Sequence, residues 1–320
     1  MMTGNTTLAD IVVGVDGSDE SFAALRWALR EAQLTGQRVN AVYGWTRSWD
    51  MGSEASTEEG WAQLRAQITE RLRAWVDEAV SGLDDVSADD VTLTSVHASG
   101  TSALLRIGKD AQQMVVGRRS LGRVARWFTG SFSASLAEEA TVPVTVVRIF
   151  TDEDETMQDA IANALTPGEA TVGYARPADG GGRPVVVGVD GSATSRRALE
   201  FAAHEAHVHG LPLHVLFCWQ LKDLGIVPGY ENAVAPVAEG QRRAEHLLDG
   251  MLADESFDES LAVQAHAFHI SAAKGLIAAS RYASHLVVGS RGLSGLDAHF
   301  LGSVSKQIVN LAECTVTVVH

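Results

Sequence analysis

The chain is written twice. IVVGVDGSDESFAALRWALREAQLTG at residues 11 to 36 returns as VVVGVDGSATSRRALEFAAHEAHVHG at 185 to 210, and MVVGRRSLGRVARWFTGSFSASL at 114 to 136 returns as LVVGSRGLSGLDAHFLGSVSKQI at 286 to 308. Each copy closes on a short apolar run, PVTVVRIF or TVTVVH. A repeat of this extent constrains the fold more than any local signal, because both copies must satisfy one architecture. The length of 320 residues agrees, since a single core rarely grows past about 250–300 residues. The expected organisation is a first domain at 1–150, a linker at 151–183 and a second domain at 184–320. In the linker, DEDE at 152 to 155 is a solvated acidic run, Met157, Ile161 and Leu165 suit one face of a short helix, and PGEATVGYARPADGGG supplies breakers.

Within the first copy, strands and helices alternate. Ile11 to Val15 is an apolar run without polar alternation, as in a strand buried on both faces of a parallel sheet. Asp16-Gly17-Ser18 turns the chain, and Ser18 is placed to cap a helix carrying Phe22, Leu25, Leu29 and Ala32 at helical spacing and ending at Gly36. Arg38 to Trp45 reads as the second strand, and 46 to 60, with Trp49 and Gly52, as a loop able to cover a ligand. A long helix is expected from Trp61 to Val80, with Trp61, Leu64, Ile68, Leu72, Trp75 and Ala79 facing the core. Val91 to His97 follows as a strand, Thr101 to Gln113 as a helix, Met114 to Gly117 as a strand, a helix from near Gly130, and Val142 to Phe150 as the last strand. Right-handed crossovers turn that order into an open parallel sheet with helices on both faces, an α/β fold whose ligands sit at the C-terminal strand ends where strand order reverses.

Composition excludes several functions. A formal charge of -15 and a pI near 5.1 argue against nucleic acid or an anionic membrane as the main partner, since both need a basic face. No run approaches a membrane span and no secretory signal precedes residue 11, so a cytoplasmic location is expected. Two cysteines, Cys218 and Cys314, make neither a disulfide framework nor a zinc site.

Chemistry concentrates in VGSRGLSGLDAHFLGSVS, residues 288 to 305, where Gly289, Gly292 and Gly302-Ser303 stand in a G-x2-G-x9-G-S spacing between a strand and a helix. Such a segment lets main-chain amides approach an anion and opens a helix whose dipole favours negative charge. Asp16 with Gly117, and Asp190 with Gly289, set a carboxylate at one lip of a cleft and this cradle at the other, a pairing that suits a nucleotide. It is not a Walker A loop: no G-x4-G-K-[ST] occurs, and GVDGS is not the G-x-G-x-x-G of a dinucleotide fold.

On VVGVDGS, present at 12 to 18 and 186 to 192, and on the G-x2-G-x9-G-S segment, the chain resembles the universal stress protein family in its tandem form, over roughly 285 residues. The resemblance implies two Rossmann-like, adenine nucleotide α-hydrolase-like domains, each a five-stranded parallel sheet of order 3-2-1-4-5, with ATP, accompanied by Mg²⁺, bound in members that keep the glycine motif. It also implies pairing of domains through the last strands, as a homodimer or an internal pseudo-dimer. By position, Gly14, Asp16 and Gly44 would lie near the adenine of the first domain, Val116 and Gly117 near the ribose, and Ser120, Gly130, Ser131 and Ser133 near the phosphates. The second domain matches with Gly188, Asp190 and Cys218, then Val288 and Gly289, then Gly292, Gly302, Ser303 and Ser305.

The copies differ in ways that bear on function. Ser120 stands where the motif wants its second glycine, so the second site is expected to be the intact one. Arg118, Arg119, Arg123 and Arg126 surround the first cradle, whereas the second has Arg291 and His299, and such arginines serve equally as phosphate ligands or as a solvated face. Ten of the eleven histidines lie in the second copy, and His204, His207 and His209 before Gly210 suit a helix C-terminus without a metal. The expected function is a regulatory protein in which ATP in one or both clefts alters the loops at 46 to 60 and 220 to 240, or the domain pairing, for an unidentified protein partner to read. Slow ATP hydrolysis is a weaker alternative, because no dedicated lysine is present. A nucleotide-independent scaffold is another, favoured for the first domain by Ser120.

Overall fold

The computed structural model describes residues 10–46, 58–81, 83, 86–118, 131–149, 182–225, 228–230, 234–293 and 300–320. It divides into two compact units, Met1–Ile149 and Phe150–His320. The first runs β1 (Ile11–Gly14), α1 (Asp19–Thr35), β2 (Val39–Trp45), α2 (Glu58–Val80), β3 (Val91–His97), α3 (Gly100–Ile107), β4 (Gln113–Gly117), α4 (Ser131–Glu139) and β5 (Val144–Val147). The second repeats it as β6 (Val185–Gly188), α5 (Ala193–Val208), β7 (Leu213–Trp219), α6 (Val237–Ala253), β8 (Val263–His269), α7 (Ala272–Ala279), β9 (His285–Gly289), α8 (Ser303–Leu311) and β10 (Thr315–Val319).

All pairings within each unit are parallel. In the first the order is β3-β2-β1-β4-β5, with Val13 opposite Ala41 and Val115. In the second it is β8-β7-β6-β9-β10, with Val187 opposite Val215 and Val287. Both sheets therefore have the expected 3-2-1-4-5 order. The central strand is apolar throughout because helices cover both its faces: Ile11 and Val13 pack with Phe22, Leu25, Leu72 and Val76, while Leu104 of α3 lies on the other face against Gly14. Truncating a side chain as enclosed as Leu104 would cost about 2–5 kcal/mol.

Local chemistry sets the element ends. Ser18 caps α1, its Oγ accepting the N–H of Ser21 at 3.2 Å, and Ser192 caps α5 through Ser195 in the same way at 3.1 Å. The sequence places α2 at Trp61, yet it begins at Glu58, because Glu58 and Glu59 favour the positive end of the helix dipole. Helix α3 stops at Ile107 rather than near Gln113: Gly108 closes it by donating to the carbonyl of Leu104 at 2.7 Å. Strand β5 is shorter than Val142 to Phe150, since Pro143 has no N–H and contributes only its carbonyl, to Met114 N–H at 2.9 Å. Ile68, Leu72, Val76 and Ala79 of α2 are buried, while Trp61, Leu64 and Trp75 are half-buried. Residues 151–181 of the expected linker at 151–183, and Trp49, lie outside the described residues. No described helix is long and apolar enough to cross a membrane.

Candidate functional site

In both units the turn after the first strand is one hydrogen-bonded device. Asp16 Oδ1 accepts the N–H of Ser18 at 3.1 Å, and its own N–H donates to Ser21 Oγ at 3.3 Å. Asp190 does the same with Ser192 at 3.0 Å and Ser195 at 3.3 Å. The glycine between must take φ of +83° at Gly17 and +85° at Gly191, a region that L side chains rarely enter. D-G-S-x-x-S is thus a turn and a helix cap before it is anything else.

The second unit adds a bridge. Asp190 Oδ2 accepts the main-chain N–H of Leu293 at 3.1 Å, so one carboxylate joins the turn after β6 to the loop after β9. Thr194 Oγ1 donates to the carbonyl of Arg291 at 2.5 Å, and Ser192 Oγ donates to the same carbonyl at 3.4 Å. A Cβ on Gly292 would meet Asp190 Oδ2, so a side chain there requires that carboxylate to leave its place. In the first unit Ser18 Oγ instead donates to Asp16 Oδ1 at 2.5 Å, and Glu20 stands where Thr194 does.

Other predicted glycines answer to packing. A Cβ on Gly117 would run into the main chain of Glu20 in α1, and one on Gly289 would lie 3.0 Å from Thr194 and 3.1 Å from Ser195 in α5. Gly14 and Gly188 give way to Leu104 and Leu276. Their main chain is still at the C-terminal strand ends, but the missing side chains are explained by the helices. Val116 and Val288 are buried, at 1% and 3% exposure, and only their main chain can face a ligand.

Cys218 is buried too, its thiol pushed up to about 12 by loss of solvent, so it is no nucleophile at neutral pH. It faces α7, where a Cβ on Gly275 would collide with its sulfur; in the first unit Gly44 lies against Gly100 and Ala103 instead. Beside these two positions, Trp45 stacks on His97 and Trp219 on His269, each at 4.4 Å between ring centroids.

The segment expected to meet phosphate is described in the second unit. Gly302 caps α8 without any side-chain acceptor for the first-turn N–H groups, and Ser303 is exposed there. Gly302 N–H donates to the carbonyl of Ser290 at 2.8 Å, which sets the helix start over that residue. Ser290 is 2% exposed, and its Oγ has no hydrogen-bond partner. Ser305 turns inward, donating to the carbonyl of Gly289 at 2.7 Å. Ser133 lies in α4, whereas Ser120 and Gly130, with the side chain of Ser131, fall outside the described residues.

Electrostatics at this end are locally positive in an acidic chain. His320, next to the end of β10, is lowered to about 4, first by burial and then by the guanidinium charges of Arg291 and Arg197. Arg197 of α5 was invisible as a site residue in the sequence, being a helix arginine far from the glycine motif. Ser192 and Thr194 were equally hidden as loop anchors, although the change from D-G-S-D-E-S to D-G-S-A-T-S is the signal that marks them.

The description "Universal stress protein family" matches this chain twice, over residues 8–148 and 182–320. The chain belongs to the universal stress protein family. Two universal stress proteins of Mycobacterium tuberculosis are each 30% identical to it, over 334 and 323 residues, covering 99% of this chain and 96% and 98% of theirs. A crystal structure of a universal stress protein from Archaeoglobus fulgidus superposes with a TM-score of 0.62 at 15% identity over 97% of both chains, a likeness of fold. Membership by both halves makes this a tandem universal stress protein, as the repeat implied.

Proposed function

We propose that this universal stress protein binds ATP in the cleft of its second unit and acts as a regulator whose occupied and empty states a protein partner distinguishes. The observation that carries the reading is the start of α8: a helix N-terminus with no side-chain cap, set over the buried, unpartnered hydroxyl of Ser290. Those donors suit phosphate oxygens. Arg291 and Arg197 supply positive charge at the same end of the sheet. The main chain at Gly188, Asp190, Cys218 and Gly289 would hold the base and sugar, and Mg²⁺ would accompany the phosphates.

Asp190 gives the site a way to signal. Its bond to Leu293 N–H closes turn against loop, so a nucleotide that engages either partner alters how the turn after β6 is held to Leu293. Among the described residues named at this end of the site, none is a lysine or a spare carboxylate that could activate water, and the chain is proposed to be a binding protein with at most slow hydrolysis. The first unit is the weaker site: Ser120 carries the Cβ that Gly292 cannot have without displacing the aspartate.

Native mass spectrometry of freshly purified full-length protein tests this directly. The expected result is ATP or a close relative at one or two per chain, with a rise in melting temperature on adding ATP and Mg²⁺. Protein that carries no nucleotide and gains no stability from it would overturn the proposal in favour of a scaffold.

A further inference from the structure

In a chain of formal charge -15, the C-terminal end of β9 and β10 gathers basic groups. Arg291 follows β9, His320 follows β10, and Arg197 stands in the second turn of α5. Among the described residues neither guanidinium makes an ion pair, and His320 Nε2 is enclosed without a hydrogen-bond partner. Burial first, then the charges of Arg291 and Arg197, hold that imidazole down at about 4, so it is neutral beside two cations at pH 7.

Hydrogen bonds fix the group in place. Ser290 N–H donates to the carbonyl of Val319 at 2.6 Å, and because Gly289 pairs with Val319, Ser290 and His320 come next in register. Thr194 Oγ1 holds the carbonyl of Arg291 at 2.5 Å, and Arg197, three residues on from Thr194, shares its face of α5. Ser290 Oγ and His320 Nε2 both lack a partner, and enclosing such atoms is unfavourable unless a ligand supplies one. Two guanidinium forks, a hydroxyl and an imidazole nitrogen suit the oxygens of a phosphate group.

Their place in the sheet says which phosphate. Base and sugar are assigned to the ends of β6 and β9, and β10 is the next strand out, so its end stands about 10 Å from that of β6 at ~4.8 Å per strand. A monophosphate at the start of α8 would stop short of it, whereas a triphosphate would reach. The first unit differs here: Glu20 and Ala23 stand where Thr194 and Arg197 do, so a carboxylate is gained and a guanidinium lost, and Arg148 replaces His320. We infer that Arg197, Ser290, Arg291 and His320 form a subsite for the terminal phosphate of a polyphosphate chain, through which the second cleft prefers a nucleoside triphosphate to the monophosphate. That preference rests on the nucleotide reading of the same cleft.

Calorimetric titration of the full chain with ATP, AMP and inorganic tripolyphosphate tests the subsite. ATP should bind at least ~tenfold more tightly than AMP, and Arg197→Ala and His320→Asn should each cancel most of that difference while leaving AMP affinity unchanged. Arg197 is exposed, so its removal leaves the core intact. Arg281→Gln, which breaks a pair with Glu313 at 3.2 Å ahead of the strand starts, removes the same charge and should alter neither affinity. Equal affinity for ATP and AMP, or an ATP preference that survives both Arg197→Ala and His320→Asn, would overturn the inference. Tripolyphosphate that binds in dependence on Arg197 and His320 while neither nucleotide binds would refute the nucleotide reading and keep the phosphate subsite; binding of none of the three would overturn both.

Discussion

Asp190 Oδ2 and the main-chain N–H of Leu293 meet at 3.1 Å across 103 residues of sequence. The same carboxylate also accepts Ser192 N–H at 3.0 Å, so a single side chain serves as a turn former and as the clasp between two loops. Charge-assisted bonds of this kind contribute about 1.5–3 kcal/mol each, and removing the carboxylate leaves two amides seeking acceptors. Asp190→Ala is expected to destabilise the second unit by about 2 kcal/mol, whereas Asp190→Asn retains one acceptor oxygen and loses less. Chemical denaturation followed by circular dichroism measures both, and a loss for Asp190→Asn equal to that for Asp190→Ala would show that an uncharged acceptor contributes nothing at this position.

Gly292 tests the clasp from its other side. Gly292→Ala puts a Cβ against Asp190 Oδ2 and should part the carboxylate from Leu293, with ATP affinity reduced ~tenfold or more. The reciprocal change, Ser120→Gly, should raise nucleotide occupancy of the first unit. The stoichiometry of co-purifying nucleotide reads both at once; an unaltered value for the pair would mean that the second glycine does not control occupancy.

The two turn glycines differ in what lies above them. Gly17 is covered by Trp75, whose Cε2 would be 2.5 Å from an added Cβ, while Gly191 has Met251 Sδ at 3.7 Å. Both positions impose the left-handed penalty of about 1–2 kcal/mol, but only the first adds a clash with a ring also held edge-on by Tyr43 at 5.1 Å. Gly17→Ala should therefore lower the melting temperature by several degrees more than Gly191→Ala. Similar shifts would show that Trp75 moves freely.

Acid should weaken the second unit through His214. This residue is fully enclosed in β7, and burial first, with the charge of His266 second, lowers it to about 4 from 6.5. A histidine whose folded value is depressed binds its proton more readily when unfolded, so stability is full above pH 6.5 and falls as pH drops toward 4. The loss is on the order of 2–3 kcal/mol across that window. His214→Asn, which imports the residue found as Asn40 in the first unit, should flatten this limb in melts recorded at successive pH values; an unchanged limb would place the acid sensitivity elsewhere.

What the sequence made legible followed from repetition and periodicity. VVGVDGS announced a buried strand, a turn and a capped helix, and Ser18 and Ser192 cap as their spacing predicts. Strand order, too, was carried by the resemblance of the glycine motif. The glycines themselves were harder to read, since Gly117 and Gly289 make room for α1 and α5 and a one-dimensional motif cannot say on which side the missing Cβ would have pointed. Arg197, Thr194 and the meeting of Ser290 with His320 depend on contacts between distant segments, which no local spacing encodes.

Gly44 against Ala103 and Cys218 against Gly275 are one contact solved with the bulk on opposite partners. A Cβ on Gly44 would meet the main chain of Gly100 at 2.7 Å as well as the Ala103 methyl at 3.0 Å, so a larger strand residue there requires the start of α3 to stand further off and not only a smaller residue at 103. A protein reassembled with a strand from one half and a helix from the other would inherit either an overfilled joint or an empty one, and the two halves can no longer trade parts.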